Sequence, residues 1–592
     1  MNLNTLLVRF LVWRIKHVSN RNFMLALSGL IGLIAGIAAV ILKVTVHFIQ
    51  AILQRSPSIA FANYLYITYP LIGIVLTVII SRYFFKEKLG HGISDILYSI
   101  AQKSSLIKRV KMYSRVITSA ITVGFGGSVG LEAPIVVTGS AIGSNIGRLF
   151  HLNTKKRTLL IGCGTAGAIS AIFNSPIAGV IFAIEVILAE VNINAFIPLL
   201  IASVAGSLIS LSLLGDDILF TFKLTDSFVA SDTPFYILLG VLTGLVSLYF
   251  TRVIYKVEAA ITRVKNYLGR AVTGGILVGI IVFLFPPIYG EGYETIKILL
   301  TNSEPMILKN SLFFQHFDNI LVLLLFLFMI ILVKPVASAL TIGSGGSGGV
   351  FAPSLFLGGV TGFFYAKSMN ALLGESVISF SNFTLVGMCG VMSGVLHAPL
   401  TAIFLIAEIT SGYTLFVPLM LVSAISYSTI YYFERYSIYT KNLIERGDYI
   451  PDDRDRQVLS LINLKKIIET DLITIHPDSN FDELITIVRQ SHRNIYPVVD
   501  ENKVLHGIIT LDDIRDIMFD ESRRSQTRIV SLMHSPPASV SLLENMESVM
   551  EKFEKSGAWN LPVIDNNEYV GFISKSRIFN TYRKKLIRQH QE

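Results

Sequence analysis

Charged residues and cysteines are both scarce in this sequence. Only 15% of the 592 residues are charged, against about 25% in soluble proteins, and the mean hydropathy is +0.60. These values exclude an ordinary soluble enzyme and a disordered chain. The two cysteines, Cys163 and Cys389, lie far apart in apolar surroundings, which excludes a disulfide framework and a cysteine-based metal cluster.

The few charges are distributed unevenly along the chain. The first 440 residues hold 29 basic and 17 acidic residues, whereas the last 152 hold 21 and 24. This predicts an apolar membrane domain over 1–445, a linker over 446–459 and a soluble C-terminal region. Basic residues gather at the N-terminus and in short loops, as in cytoplasmic segments of membrane proteins. We therefore expect a multi-pass protein of a bacterial inner (plasma) membrane with both termini cytoplasmic and no nucleic-acid partner.

Apolar runs of about 20 residues can cross a bilayer as helices. The runs of this kind are 23–42, 64–80, 196–214, 235–255, 271–288 and 320–336. Shorter apolar stretches between them are interrupted by glycine and proline, namely 124–147, 161–188 and 343–364. Irregular backbone at membrane depth is tolerated only where it is buried in protein or lines a polar cavity. These broken helices therefore predict a substrate pathway.

An internal repeat underlies the broken helices. A glycine-rich stretch leads to Pro134 and, 42 residues later, a second helix start at Pro176 runs into a glutamate. The second half repeats this order with Pro353 and Pro399, which are 46 residues apart. Proline suits the first turn of a helix. Duplicated halves with broken helices are typical of transporters and channels, so we predict an all-α polytopic domain with an inverted internal repeat.

Three acids lie within apolar membrane segments, and each is by default a functional hypothesis. Glu132 falls in the most glycine-rich irregular stretch, which favours a functional role. Glu185 and Glu408 lie late in their helices, which favours structural or interfacial roles.

The glycine-rich helix starts indicate anion binding. A helix N-terminus presents free N–H groups and about half a positive charge. We expect the starts at 90–93, 130–134, 348–353 and 174–176 to converge on one anion site without lysine or arginine. The competing explanation for any one of them is tight helix packing through small residues.

The first 440 residues resemble the CLC family of chloride channels and proton-coupled chloride antiporters. The GLEAP stretch at 130–134 is similar to the family's G-(K/R)-E-G-P, and GVFAP at 349–353 is similar to G-x-F-x-P. The resemblance implies that Glu132 is the gating glutamate and that Phe351 and Tyr439 line the central anion site. The full set of anion-binding residues that it implies is His91, Gly92, Ile93, Val350, Phe351 and Tyr439.

The resemblance also implies a homodimer with one pore per subunit, chloride and related anions as substrate, no required cofactor, no metal and no enzymatic activity. Proton coupling is left open. The antiporters' internal proton glutamate falls at Val186, directly after Glu185, so we predict a passive voltage- or pH-gated channel. The alternative is a chloride/proton antiporter that uses Glu132, with water in place of the missing carboxyl.

Two departures from the family pattern affect the site. Histidine stands at position 91 where the family has a serine whose hydroxyl faces the anion. Either His91 donates an N–H to the anion and makes permeation pH-sensitive, or its ring turns away and backbone amides alone bind the ion. Leu131 and Ala133 replace a basic residue and a glycine beside Glu132, which removes a positive charge.

The C-terminal region contains another duplication, at 494–514 and 560–578, with an apolar strand, an acidic turn, an apolar strand and a helix in each copy. It resembles a tandem of CBS domains, which we place at 460–525 and 526–588. Such pairs bind adenine nucleotides through G-h-h-[ST]-x-x-D, which the first copy keeps with Thr510 and Asp513. The second copy has Arg577 at the aspartate position, so a purely structural dimerisation module is the alternative.

Two other classes of protein compete with an anion pathway. A CBS-regulated divalent-cation transporter would need clustered oxygen ligands, and only 17 acids occur in the first 440 residues. An intramembrane enzyme would need a catalytic arrangement such as H-E-x-x-H, which the sequence lacks. The sequence therefore favours anion transport regulated by cytosolic CBS domains.

Overall fold

The computed structural model describes residues 9, 11–14, 16–54, 59–87, 90, 92–188, 193–214, 226–301, 320–374, 377–410, 412–448, 459 and 462–591. They form two compact units, Met1–Tyr449 and Ile450–Glu592. The first unit is helical and the second is α/β, as the sequence predicts. The finer domain limits at 445, 459, 525 and 588 stay predictions.

The α-helices described in the first unit follow the apolar segments and the shorter broken stretches between them. In chain order they are α1 (Asn20–Gln54), α2 (Ile59–Ile79), α3 (Gly92–Gln102), α4 (Ser114–Gly124), α5 (Glu132–Leu149), α6 (Thr154–Phe173), α7 (Pro176–Phe182), α8 (Ile193–Leu214), α9 (Thr233–Ile261), α10 (Tyr267–Leu284), α11 (Tyr293–Leu300), α12 (Ile320–Gly343), α13 (Phe351–Leu373), α14 (Phe380–Leu396), α15 (Pro399–Ile409), α16 (Phe416–Phe433) and α17 (Lys441–Glu445). Short π-helical turns at Ile80–Phe84 and Ala183–Leu188 continue α2 and α7.

Within the described ranges, seven helices are long and apolar enough to cross a membrane. Six of them overlap the predicted spans, and the seventh, α16, was not predicted. Its serines make it less apolar, but they bond to α14: Ser423 lies 2.9 Å from Ser393 Oγ, and Ser426 donates to the Gly390 carbonyl at 2.7 Å. Hydropathy along the chain does not register such partners.

The packing repeats between the two halves. Helices α1, α6 and α8 pack on one another in the first half, as α9, α14 and α16 do in the second. The pairs α5–α6 and α13–α14 touch backbone to backbone: a Cβ on Gly139 would lie 2.1 Å from the Gly164 carbonyl oxygen, and one on Gly358 would lie 2.4 Å from that of Gly387. Glycine is required at these crossings because any side chain would clash with the facing backbone. The matching helix packing in the two halves confirms the predicted repeat.

The same turn joins α6 to α7 and α14 to α15. Asn174 and His397 end the earlier helix in each pair with left-handed φ values of 52° and 55°. Pro176 and Pro399 then begin the next helix, where the missing proline N–H has no cost. The later helix start predicted in each half of the repeat, at Pro176 and at Pro399, is therefore present.

The second unit contains two copies of one α/β motif. In chain order its helices are α18 (Phe481–Gln490), α19 (Leu511–Ile514), α20 (Glu521–Arg524), α21 (Ile529–Leu532), α22 (Met546–Ser556) and α23 (Lys575–Gln591). Its strands are β1 (Ile495–Val499), β2 (Leu505–Thr510), β3 (Val540–Ser541), β4 (Asn560–Asp565) and β5 (Glu568–Ser574). Strand β1 pairs antiparallel with β2, and β4 pairs parallel with β3 and antiparallel with β5.

In each copy, one strand pairs with the segment that precedes the other copy in the sequence. Glu469, ahead of the first copy, exchanges two backbone hydrogen bonds of 2.8 and 2.9 Å with Phe572 in β5. His534, ahead of the second copy, exchanges bonds of 2.9 and 3.0 Å with Ile508 in β2. The two copies therefore form one structural module.

Candidate functional site

The two repeats meet at their glycine-rich helix starts. The N–H of Gly130 donates to the Gly349 carbonyl and the N–H of Gly349 donates to the Gly130 carbonyl, both at 2.9 Å. This antiparallel bridge places the first turn of α5 beside the first turn of α13. No side-chain cap is present at Leu131 or Val350, which precede these helices. Two buried helix N-termini thus face the same region, and neither of the residues that precede them supplies a side-chain cap of its own.

A third helix start lies against α5. Gly92 begins α3, and a Cβ there would lie 2.5 Å from Val137 Cγ2 and 3.7 Å from the Ala133 carbonyl oxygen. Ile93 is buried beside it. His91 lies outside the described residues.

At the fourth predicted helix start, residues 174–176, a glutamate side chain already binds the free N–H groups. At α7 the N–H groups of Ile177 and Ala178 donate to the two carboxylate oxygens of Glu408, at 3.0 and 2.9 Å. The expectation that all four starts converge on one anion is therefore wrong for this one, because a carboxylate from the other repeat satisfies its donors.

Glu132 is the first residue of α5, and it is almost completely buried. Its Oε1 accepts a hydrogen bond from the hydroxyl of Tyr293. Its Oε2 lies against Gly130, and the carboxylate is close to the backbone N–H groups of Glu132 and Ala352. One carboxylate oxygen is thus held while the other faces the meeting point of α5 and α13.

Tyr439 is 3% exposed, and its hydroxyl has no hydrogen-bond partner among the residues that the structure describes. Its carbonyl accepts a bond of 2.7 Å from Ser94 in the first turn of α3. The ring lies within electrostatic range of the Glu132 carboxylate. A buried hydroxyl without a partner is costly, so this one is suited to a ligand. Tyr436 stands three residues earlier and is the other tyrosine that the sequence offers for this role, but it is only partly buried.

Phe351 begins α13 and is fully buried. Its ring stacks on Phe173 at 5.3 Å between centroids and meets Phe182 edge-on at 5.9 Å. These two rings come from the first repeat, so they fix the start of a second-repeat helix. Val350, directly before it, is also buried.

Sequence reasoning missed three residues around the start of α5: Tyr293 and Glu291, which lie beside Glu132, and Lys334, which lies beside Glu291. Glu291 Oε1 accepts the N–H of Leu131 at 3.1 Å. Lys334 is fully buried in α12 and lies 4.7 Å from the Phe356 ring centroid. An ionisable residue inside a membrane segment is a signal in its own right, so the rule that singled out the three acids would also have found Lys334. Nothing in the local pattern marks Tyr293.

Glu185 mirrors Glu408. Its carboxylate accepts the N–H groups of Leu400 and Thr401 at the start of α15, at 3.2 and 2.9 Å, and the Thr401 hydroxyl at 2.6 Å. Each glutamate therefore caps the helix of the opposite repeat, where the helix dipole favours a negative charge. This agrees with the structural or interfacial role predicted for both.

In the C-terminal unit, Thr510 and Asp513 form a capping box at the start of α19. Asp513 Oδ2 accepts the backbone N–H and the hydroxyl of Thr510 at 2.7 and 2.6 Å, and His534 lies 3.2 Å from it. Partial burial opposes ionisation, but these contacts lower the pKa of Asp513 below its ordinary value. In the second copy, Ser574 donates instead to Glu469 at 2.9 Å.

Among the described residues, no group of three or more His, Cys, Asp or Glu side chains is arranged to hold a metal ion.

Comparisons with known proteins agree on the family. Residues 72–430 match the family described as voltage gated chloride channel, and residues 464–520 and 529–584 match the CBS domain. The chain is 26% identical over 483 residues to chloride channel protein CLC-f of Arabidopsis thaliana, an alignment that covers 72% of this chain and 60% of that protein. The chain thus spans less than two thirds of that relative.

Other relatives are exchangers. The H(+)/Cl(-) exchange transporter ClcA of Vibrio parahaemolyticus is 27% identical over 421 residues, with 67% of this chain and 84% of ClcA covered. A slow cyanobacterial Cl−/H+ antiporter of known structure matches with a TM-score of 0.61 and 22% identity, over 73% of this chain and 99% of that one, which shows a shared fold. With the family matched over residues 72–430, this chain is a multi-pass membrane protein that belongs to the CLC family of chloride channels and transporters and carries a C-terminal pair of CBS domains.

Proposed function

We propose that the membrane unit conducts chloride passively, through one pathway per subunit of a homodimer, with Glu132 as the gate. The observation that carries the proposal is the buried Glu132 carboxylate at the point where the starts of α5 and α13 meet. Helix N-termini attract anions without holding them as tightly as a buried arginine would, and conduction requires that the ion can leave.

In this proposal the carboxylate competes with chloride for one position. When ionised it occupies the anion site, and when protonated it loses its charge and swings away. The backbone N–H groups at Val350 and Phe351 and at Gly92 and Ile93 then face the anion, together with the hydroxyl of Tyr439. His91 belongs to the same set as a prediction from the sequence.

The gate is tested by Glu132→Gln. The amide imitates the protonated carboxyl but cannot compete electrostatically with chloride. We expect wild-type chloride efflux from liposomes to change by up to about tenfold per pH unit where the gate titrates, and the variant's efflux to change little. Glu294→Gln, at an exposed position of α11, is the matched control and should behave as wild type. A Glu132→Gln profile as steep as the wild-type profile would remove the gating role.

The alternative mode is chloride/proton antiport. It has less support in this chain because Val186 cannot carry a proton and the neighbouring Glu185 is engaged in capping α15. Antiport would then need water in place of the missing carboxyl. Proteoliposomes with an imposed chloride gradient and a clamped voltage discriminate the two: uphill proton movement assigns an antiporter, and its absence in an active preparation assigns a channel.

We further propose that the CBS pair regulates the membrane unit from the cytoplasm of a bacterial cell and binds an adenine nucleotide at one site. Thr510 and Asp513 would hold the ribose, since an ionised carboxylate accepts hydroxyl hydrogen bonds. Arg577 in the second copy offers no acceptor, which limits the pair to a single site of this kind. A structural dimerisation module is the alternative.

A further inference from the structure

The segment that leads from α10 into the first residue of α11, residues 286–293, lies across the stretch that precedes Glu132. Ser128 Oγ donates to the Ile288 carbonyl at 2.9 Å, and Gly290 N–H donates to the Gly126 carbonyl at 3.4 Å. From the other side, buried Lys334 donates to the carbonyls of Ile288 and Gly290 at 3.4 and 3.3 Å. We call this segment the strap, and these bonds hold its backbone in place.

The strap delivers two side chains to the gate. Glu291 accepts the N–H of Leu131, the residue before the gate, at 3.1 Å, and the hydroxyl of buried Tyr293 donates to the carboxylate of Glu132 itself. Between them, Gly292 has φ of +88°, and a Cβ there would lie 2.4 Å from Phe356 Cδ2. The chain can therefore turn into α11 only with glycine at this position, and that turn presents the tyrosine to Glu132.

We propose that Tyr293 is a positioning residue for the gate: its phenol holds the ionised Glu132 carboxylate in the anion pathway and so sets the pH at which the pathway opens. The inference rests on the proposed gating function of Glu132. It adds a group from a distant part of the chain that decides how readily the carboxylate leaves.

The direction of the effect follows from which form of the gate the phenol stabilises. Among the described residues, Glu291 and Tyr439 also lie within electrostatic range of Glu132, and Lys43 and Lys334 lie within range of Glu291. A hydrogen bond donated to a carboxylate favours its charged form. Without it, Glu132 binds a proton at higher pH and is displaced more easily by chloride. Tyr293→Phe should therefore shift the pH of half-maximal chloride flux upward by about one unit.

The experiment compares pH profiles of chloride efflux from liposomes that contain the full-length protein. Tyr293→Phe should show the upward shift, and flux at neutral pH should rise by up to about tenfold. Tyr289→Phe is the matched control, because Tyr289 belongs to the same strap but donates to the Gly124 carbonyl at 3.2 Å and not to the gate. In a Glu132→Gln background, Tyr293→Phe should leave the flat profile unchanged.

Each other outcome overturns the proposal in a distinguishable way. If Glu132→Gln removes the pH dependence but Tyr293→Phe follows the wild-type profile, the gate stands and the positioning role is wrong. If Tyr293→Phe is inactive in both backgrounds, the phenol is only structural. If Glu132→Gln retains the wild-type pH dependence, the gating function fails and the positioning role fails with it.

Discussion

At the scale of single residues, the site depends on the absence of a side chain at Gly130. A Cβ at this position would lie 2.0 Å from Glu132 Oε2 and 2.8 Å from the Cβ of Ala352. The carboxylate can therefore fold back beside α13 only because glycine precedes it by two positions. The GLEAP stretch therefore needs glycine at position 130 to make room for the Glu132 carboxylate and Ala352.

The buried hydroxyl of Tyr439 leads to a prediction about anion affinity. If chloride is its partner, Tyr439→Phe removes one hydrogen bond to an ion and should weaken chloride binding by about tenfold. Tyr436→Phe is the matched control and should leave the affinity unchanged. Calorimetric titration of chloride into the detergent-solubilised protein measures both. Equal affinities for the two variants would mean that the Tyr439 hydroxyl does not contact the ion.

His91 illustrates the limit of reasoning from one residue. The sequence leaves two orientations of its ring open, and the position lies outside the described residues. Its participation in the anion site stays a prediction.

At the scale of helices, the two late glutamates act as reciprocal caps. Glu408 closes the start of α7, and Glu185, on the π-helical turn that continues α7, closes the start of α15. The arrangement ties the two repeats together at one interface. It also explains why carboxylates are tolerated there, because helix N-termini supply the compensating charge.

The two caps lead to a prediction about stability that leaves the proposed gating by Glu132 unaffected. Glu408→Ala leaves two N–H groups of α7 without acceptors and should lower the free energy of unfolding by about 3 kcal/mol. Glu294→Ala, at an exposed position of α11, should change it little. Thermal unfolding in detergent measures the difference, and the pH profile of chloride efflux should keep its wild-type midpoint. An unchanged melting temperature for Glu408→Ala would show that the caps are not needed.

At the scale of the whole molecule, a membrane unit and a CBS module are joined in one chain, and each has its own hydrophobic core. Only the first copy in the module keeps the aspartate of the G-h-h-[ST]-x-x-D pattern, at Asp513, and the second has Arg577 there. Because its pKa is lowered below the ordinary value, the Asp513 carboxylate is ionised at neutral pH and can accept hydrogen bonds from hydroxyl groups.

We expect the isolated segment 453–592 to bind ATP or AMP at no more than one site per chain. Asp513→Asn should weaken that binding by about tenfold through loss of a charged acceptor. Asp512→Asn, at the adjacent exposed position, should not. Titration calorimetry tests this, with a thermal melt to confirm that each variant is folded. An absence of heat with both nucleotides would favour the purely structural module.

The sequence by itself determined which kinds of domain the protein contains and their order along the chain. Apolar runs, paired prolines and glycine-rich stretches predicted a duplicated membrane domain, because bilayer thickness and backbone hydrogen bonding restrict what such segments can form. Glu132 was identifiable because an acid is costly in an apolar segment. The strand-rich duplication likewise predicted the C-terminal module.

Only the tertiary structure decided which groups meet. Tyr293 contacts Glu132 across 161 positions, and Glu185 and Glu408 reach helix starts more than 200 positions away. Such contacts depend on how the two repeats pack, and local periodicity carries no record of that packing. The same packing filled one of the four helix starts predicted for the anion site, at α7, and placed the Tyr293 phenol on Glu132. A buried donor or acceptor takes its partner from whatever group the fold brings near.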